Sequence, residues 1–273
     1  MSFTQKGTRN SKKLKTTIAI IIFALIIIIT ILFFTLPLFS LLLRISPEDF
    51  IAAILDPDVN NAIMLSLITA AMATTIIVLL GTPIAYLNAR YEYRGRNFVE
   101  TLLDLPIVLP PSVAGLALLV LFGRRGLIGG FLNDIGITII FTTFAVVLAQ
   151  VFVAGPLYIR QAKTAFAMVD RVYENAARTL GAGPFVTFVK VTIPLAWTGL
   201  VSGVILGFAR GIGEFGATIM VAGNLPGKTQ TMPLAIYGMM QSDLTASIAL
   251  SIVLIAMSCI ILIIIRILSG RSS

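Results

Sequence analysis

Thr17-Ile-Ala-Ile-Ile-Ile-Phe-Ala-Leu-Ile-Ile-Ile-Ile-Thr30-Ile-Leu-Phe-Phe-Thr35-Leu-Pro37-Leu-Phe-Ser40-Leu-Leu-Leu43 contains no charged side chain. A helix rises 1.5 Å per residue, so about 20 apolar residues cross the ~30 Å hydrocarbon core of a bilayer. This stretch is long enough. It follows a basic head (Lys6, Arg9, Lys12, Lys13, Lys15) that could mark a signal peptide. It is too long for a signal h-region and lacks a small-residue cleavage site, so it reads as a retained span.

Five more stretches of this kind follow, at roughly Ala62–Leu87, Leu105–Phe122, Thr138–Ile159, Leu195–Ala222 and Thr245–Leu268. Composition agrees: 58% of the 273 residues are apolar and only 12% charged, with a mean hydropathy of +1.00. A soluble domain carries about 25% charged residues, so this chain cannot cover a water-facing surface. The expected class is all-α: a polytopic membrane protein with six transmembrane helices. No histidine is present, and the single cysteine, Cys259, lies in an apolar run where packing explains it. Neither a metal site nor a cofactor is expected. The net charge of +8 could suggest nucleic acid, but its distribution points to membrane topology instead.

Basic residues cluster on alternate loops. The N-terminal head, Arg90, Arg94 and Arg96, then Arg160, Lys163, Arg171, Arg178 and Lys190, then Arg266 and Arg271 make fifteen on one face. Arg44, Arg124, Arg125 and Lys228 make four on the other. The positive-inside rule then places both termini in the cytoplasm. The outer loop 44–60 carries four acids and a short surface helix starting near Pro47. No span repeats another, and the tail Ser269–Ser273 is too short for a domain, so residues 1–273 read as one membrane domain.

The cytoplasmic loop at about 160–194 is the most informative polar segment. Asp170 is placed to cap a helix. Val172, Ala176 and Leu180 recur every four residues and give one apolar face, while Arg171, Glu174 and Arg178 line another. Gly181 and Gly183 end the helix and Pro184 prevents its continuation. Phe185, Val186, Phe188 and Val189 form a second apolar turn leading to Pro194. An amphipathic connector lying on the membrane would look similar.

Ala176, Ala177, Gly181, Val191, Ile193 and Pro194 fall in register with a known pattern. The segment resembles the cytoplasmic loop of bacterial and archaeal ABC importer permeases: Glu-Ala-Ala, three residues, Gly, nine residues, then two alternate aliphatics and Pro. Asn175 occupies the Glu position, with Glu174 one residue earlier. The resemblance implies a type I ABC importer permease whose loop rests in a cleft of a separate ATPase subunit. Ala176, Ala177 and Gly181 would be the contact surface, flanked by Asn175 and closed by Pro194, with Glu174 and Arg178 as polar partners at its edge.

In the fifth segment Gly199, Gly203, Gly207 and Gly211 recur every four residues as one flat stripe, which permits close approach of helices. The same span holds Arg210 and Glu214. Each would cost about 2.5–3.5 kcal/mol if alone at mid-membrane, and their four-residue spacing lets them pair. The pair reads either as a structural tie or as a group beside the pathway, and the stripe as a pathway or dimer face. Ser112, Thr218 and Asn224 could offer neutral hydrogen bonds to a passing oxyanion, or simply serve helix packing.

Gly211-Ile-Gly213-Glu214-Phe215-Gly216-Ala217-Thr218 resembles a stretch of molybdate, tungstate and sulfate permeases. So does Asp104-Leu-Pro106-Ile-Val-Leu-Pro110-Pro111, followed by Leu121-Phe-Gly-Arg124-Arg125-Gly126. The paired arginines look closest to the molybdate/tungstate branch. Pro106, Pro110 and Pro111 donate no backbone hydrogen bonds, so the third span is expected to begin broken or kinked; Gly81 and Pro83 suggest a similar bend in the second. Ala222-Gly-Asn-Leu-Pro-Gly227-Lys228-Thr229 imitates a phosphate-binding loop, but no strand precedes it and Pro226 interrupts it. The chain therefore reads as no enzyme.

The resemblances imply a molybdate/tungstate importer permease working as two copies, with two ABC ATPase subunits inside and an extracytoplasmic oxyanion-binding protein outside. A sulfate permease of the same architecture is the alternative. An ion-coupled secondary transporter would require an embedded titratable site and internal repetition.

Overall fold

The structure, a computed structural model, describes the backbone of residues 3–270 and the side chains of residues 20–267. The side chains of the basic head, Arg271 and the tail Ser269–Ser273 lie outside the described residues.

The chain divides into two compact units, Met1–Asp49 and Phe50–Ser273. The first holds α1 (Phe3–Arg44) and the start of α2 (Pro47–Leu55). Along α1 the polar side chains Thr30, Thr35 and Ser40 return their hydroxyls to the carbonyls of Ile26, Ile31 and Pro37. This leaves the span nothing to expose to lipid but hydrocarbon. The expected helix at Pro47 is present, started by a reciprocal cap: Ser46 accepts from the Asp49 N–H and donates to its carboxylate.

The second unit runs α3 (Pro57–Arg90), α4 (Arg96–Val108), α5 (Pro111–Phe122), α6 (Gly129–Asp134), α7 (Thr143–Met168), α8 (Arg171–Thr179) and α9 (Pro184–Thr187). A π-turn (Phe188–Thr192) follows, then α10 (Ile193–Ile212), α11 (Gly216–Ala222), α12 (Met232–Met239) and α13 (Leu244–Gly270). No strand occurs among the described residues. Asp56 caps α3 by accepting from the N–H groups of Asp58 and Val59, ahead of Pro57. α7 forms the centre, between α3 and α10. Its inward face is built of small residues (Ala145, Ala149, Ala154, Ala162, Ala165), so the neighbouring backbones come close. Cys259, expected in packing, is exposed on α13.

Among the described residues, five helices are long and apolar enough to cross a membrane: Ile20–Arg44, Pro57–Arg90, Thr143–Met168, Pro184–Ile212 and Leu244–Ile267. The expected third span, Leu105–Phe122, falls on the pair α4–α5, bent by 113°, which makes a sixth crossing when the pair is counted as one span. The predicted break is there, at Leu109–Pro110, while Pro106 sits inside α4. α3 continues unbroken through Pro83.

The fifth span departs from the expected continuous Leu195–Ala222. α10 stops at Ile212, Gly213-Glu214-Phe215 leave the helix, and α11 begins at Gly216. With 12 and 7 residues, α5 and α11 reach only about 18 Å and 10 Å. The two half-helices lie side by side in the same direction. A Cβ on Gly216 would come 2.5 Å from the Pro111 Cβ, and one on Gly115 would come 2.7 Å from the Met220 Cβ.

Candidate functional site: the anchored loop helix and two helix breaks

Helix α8 begins as expected, with the Asp170 carboxylate accepting from the Val172 N–H at 2.9 Å. Its end is a Schellman turn: Ala182 N–H bonds to Ala177 O and Gly181 N–H to Arg178 O, both at 3.0 Å. Gly181 takes φ +87°, and a Cβ there would meet nothing within 4 Å. The glycine is thus demanded by backbone conformation and not by crowding inside the chain.

The outward face of α8 is apolar. Val172 and Tyr173 are mostly exposed, Leu180 is 88% exposed, and Phe185 continues the patch from α9. Asn175, Ala176 and Arg178 are exposed and Ala177 is half-buried. Exposed apolar side chains grouped in this way mark a surface that meets a partner or the membrane.

Glu174 departs from its expected place at the edge of that surface. It is only 5% exposed and points inward, because its helical position lies opposite the apolar ridge. Its Oε1 accepts from Arg90 Nε at 3.0 Å, with Arg90 Nη2 also 3.0 Å away as an ion pair. It also accepts from the Thr192 hydroxyl at 2.8 Å. Arg90 Nη2 donates to Val169 O, and Arg171 donates to Arg90 O, both at 2.9 Å. One buried knot therefore ties together the last residue of α3, the end of α7, α8 and the entry to α10. Burying two charges costs several kcal/mol per ion unless further hydrogen bonds support the pair; here Val169 O takes one Arg90 donor and the Thr192 hydroxyl gives the carboxylate a second. Tyr86, Phe166 and Phe188 pack beneath the knot with ring centroids 4.6–6.0 Å apart.

Thr192 owes its position to Pro194. Proline has no N–H and its ring crowds the carbonyl four residues back. The chain widens instead, with Ile193 N–H bonding five residues back to Phe188 O. This π-turn carries Thr192 onto Glu174. Sequence reasoning counted Arg90 only as a loop charge and passed over Thr192, since neither adjoins Glu174 in the chain.

The glycine stripe of α10 has a neighbour in the same chain. Within the chain it lies against α7. A Cβ on Gly199 would lie 2.5 Å from the Ala165 Cβ, and one on Gly203 3.2–3.3 Å from Tyr158 and Gln161. Gly207 and Gly211 make ordinary contacts with Tyr158 and Gln150. The packing is tight at Gly199 and Gly203 and looser toward Gly211.

Arg210 and Glu214 do pair, Nη1 to Oε2 at 2.7 Å, although Glu214 lies in the break beyond α10. The other carboxylate oxygen accepts from the Ala217 N–H at 2.8 Å and so caps α11. Glu214 is 1% exposed and the Arg210 side chain 33%. Thr218 is fully buried with its hydroxyl unpartnered, and Ser112 is exposed at the start of α5. The Asn224 amide donates to Leu234 O. The phosphate-loop imitation at 222–229 is a turn between helices, closed by Leu225 N–H on the Thr229 hydroxyl. No group of His, Cys, Asp and Glu that could hold a metal occurs among the described residues.

Residues 77–273 match the family described as binding-protein-dependent transport system inner membrane component. The chain is 44% identical over 231 residues to the molybdenum transport system permease protein ModB of Mycobacterium bovis, covering 85% of this chain and 88% of that one. It is 36% identical over 231 residues to the probable sulfate transport system permease protein cysT of Chlorokybus atmophyticus, covering 83% and 81%. Its fold is similar to a chain of a bacterial ABC transporter involved in the import of the acidic polysaccharide alginate, with a TM-score of 0.70, 15% identity and coverage of 97% and 98%.

Proposed function

The chain belongs to the family of binding-protein-dependent transport system inner membrane components, and from that premise we propose that it is the permease subunit of an ATP-driven importer of molybdate or tungstate. The observation that carries the reading is α8: an apolar face turned out, and a carboxylate turned in and locked to the ends of three other helices. A surface offered to a partner is useful for coupling only if the partner's push is not absorbed by a loose loop. The Arg90–Glu174–Thr192 knot gives α8 that stiffness.

Two copies of this chain form the pathway as a homodimer in the cell membrane. Both termini face the cytoplasm, as the excess of basic residues on that side favours, and residues 1–273 act as one membrane domain. Two ABC ATPase subunits dock on α8 through Val172, Ala176, Ala177 and the Gly181 turn, and hydrolyse the ATP. An extracytoplasmic binding protein delivers the oxyanion on the opposite face. Closure of the ATPases moves α8, and with it α3, α7 and α10, alternating access between the two sides.

The substrate follows from the 44% identity to a molybdenum permease. The 36% identity to a sulfate permease keeps sulfate as the rival. The test is uptake into vesicles holding this chain, its ATPase and its binding protein. Molybdate or tungstate should accumulate on ATP addition, and excess sulfate should not compete. Sulfate uptake that molybdate fails to displace would overturn the substrate assignment.

A further inference from the structure

The break before α5 and the end of α10 border a small cavity of about 140 Å³. Pro106 and Leu109 close it from the end of α4, Pro111 from the start of α5, and Leu157 from α7; Arg210 is the one charged residue in its lining. A water molecule takes about 30 Å³ in the liquid, so the space holds about four waters or one four-oxygen anion.

Arg210 has donors to spare. A guanidinium carries five N–H groups in a planar fork, and among the described residues only the Nη1 bond to Glu214 is made. Glu214 has both carboxylate oxygens committed, one to Arg210 and one to the Ala217 N–H. It lies outside the cavity lining. A structural tie between α10 and α11 needs one donor and no cavity. The other residues of the cavity wall carry apolar side chains, beside which charge interactions are stronger than in water. The same wall holds the N-terminal end of α5, whose dipole favours negative charge.

We propose that this cavity is a weak way-station at which Arg210 takes a tetrahedral oxyanion crossing the membrane. The inference rests on the importer reading above. A guanidinium fork matches two oxygens of such an anion at once, which an ammonium cannot do. Glu214 repels the anion and holds one donor back, so the site releases what it takes. Passage needs binding that is favourable enough to enter and weak enough to leave.

The test uses the permease–ATPase complex in detergent. Its unfolding temperature is measured against sodium tungstate at constant ionic strength. The wild type should be stabilised saturably. Arg210→Gln should lose the saturable part. Arg210→Lys, which keeps the charge without the fork, should need several-fold more tungstate. Glu214→Gln keeps an oxygen for the Ala217 N–H while removing the repelling charge, and should saturate at about tenfold less tungstate. Opposite signs for Arg210→Gln and Glu214→Gln separate an anion site from a structural ion pair, which predicts the same sign for both. A wild type without a saturable response, or one that Arg210→Gln reproduces, overturns the proposal. Normal ATP-driven uptake alongside that negative result would leave the importer reading standing. A tungstate response without uptake would support the site and remove the importer reading.

Discussion

Arg90 and Glu174, separated by 84 positions in the chain, meet at 3.0 Å with side chains only 5% and 6% exposed. The contact fastens the loop helix to the end of α3, and the same carboxylate oxygen also receives Thr192 from the π-turn.

Removing one member of this pair should be costly. Arg90→Ala or Glu174→Ala leaves the other charge buried without a counter-charge, which typically destabilises by about 3–5 kcal/mol. Folded protein recovered from membranes should fall sharply. The double replacement Arg90→Met with Glu174→Leu should recover most of it. A double-mutant cycle on thermal unfolding gives the coupling, and strictly additive losses would show that the two side chains act independently.

Gly181 separates backbone from surface. Its left-handed φ tolerates asparagine better than alanine or branched residues. Gly181→Asn should retain ATPase co-purification and uptake, and Gly181→Ala should cost about 1–2 kcal/mol in the α8 turn. Gly181→Trp shares the backbone strain of Gly181→Ala but has open space within the chain, so it should insert as the alanine variant does and, unlike it, lose ATPase binding. Normal uptake by Gly181→Trp would remove this turn from the docking surface.

The α8 face can be mapped by labelling. In a background without Cys259, cysteine at Val172 or Leu180 should react with a water-soluble thiol reagent in the isolated permease. Both positions should be shielded once the ATPase is bound, whereas cysteine at Thr192, buried in the knot, should resist labelling in either state. Equal labelling of Leu180→Cys with and without the ATPase would place the docking surface elsewhere.

The glycines of α10 should differ in their tolerance. Gly199→Ala forces a methyl to within 2.5 Å of the Ala165 Cβ, and overpacking of this kind costs about 1–3 kcal/mol. Gly211→Ala meets only an ordinary contact at 3.9 Å and should leave the unfolding temperature nearly unchanged. Ala165→Gly should restore part of the loss in Gly199→Ala. Equal effects at 199 and 211 would contradict the packing of α10 against α7.

What could be read from the chain follows the range of each interaction. Apolar length located the spans, and Pro110–Pro111 foretold the break before α5, because both are local properties. The break at Gly213–Phe215 was hidden: three glycines and an apolar run look like a small-residue helix until α11 is seen packed on α5. The stripe at 199, 203, 207 and 211 was visible as a pattern, but what it faces depends on α7, about forty residues earlier. Glu174 read as a surface charge because its partner Arg90 belongs to another helix. Helical spacing states which residues share a face; it does not state which face is inside.

Residues 184–212 form one rod, since the π-turn widens the helix without interrupting it. From Thr192 to Arg210 that rod extends about 27 Å. One end is pinned beside the proposed motor-docking patch and the other stops at the Gly213 break, carrying the guanidinium. Such a bar is a lever with its load at the far tip: a small tilt at the knot becomes a larger sweep of Arg210 across its cavity. Glu214 bridges the break, joining Arg210 to the Ala217 N–H, so the tip carries the start of α11 with it. A single stroke could thereby turn the charge toward or away from its cargo without a separate gate.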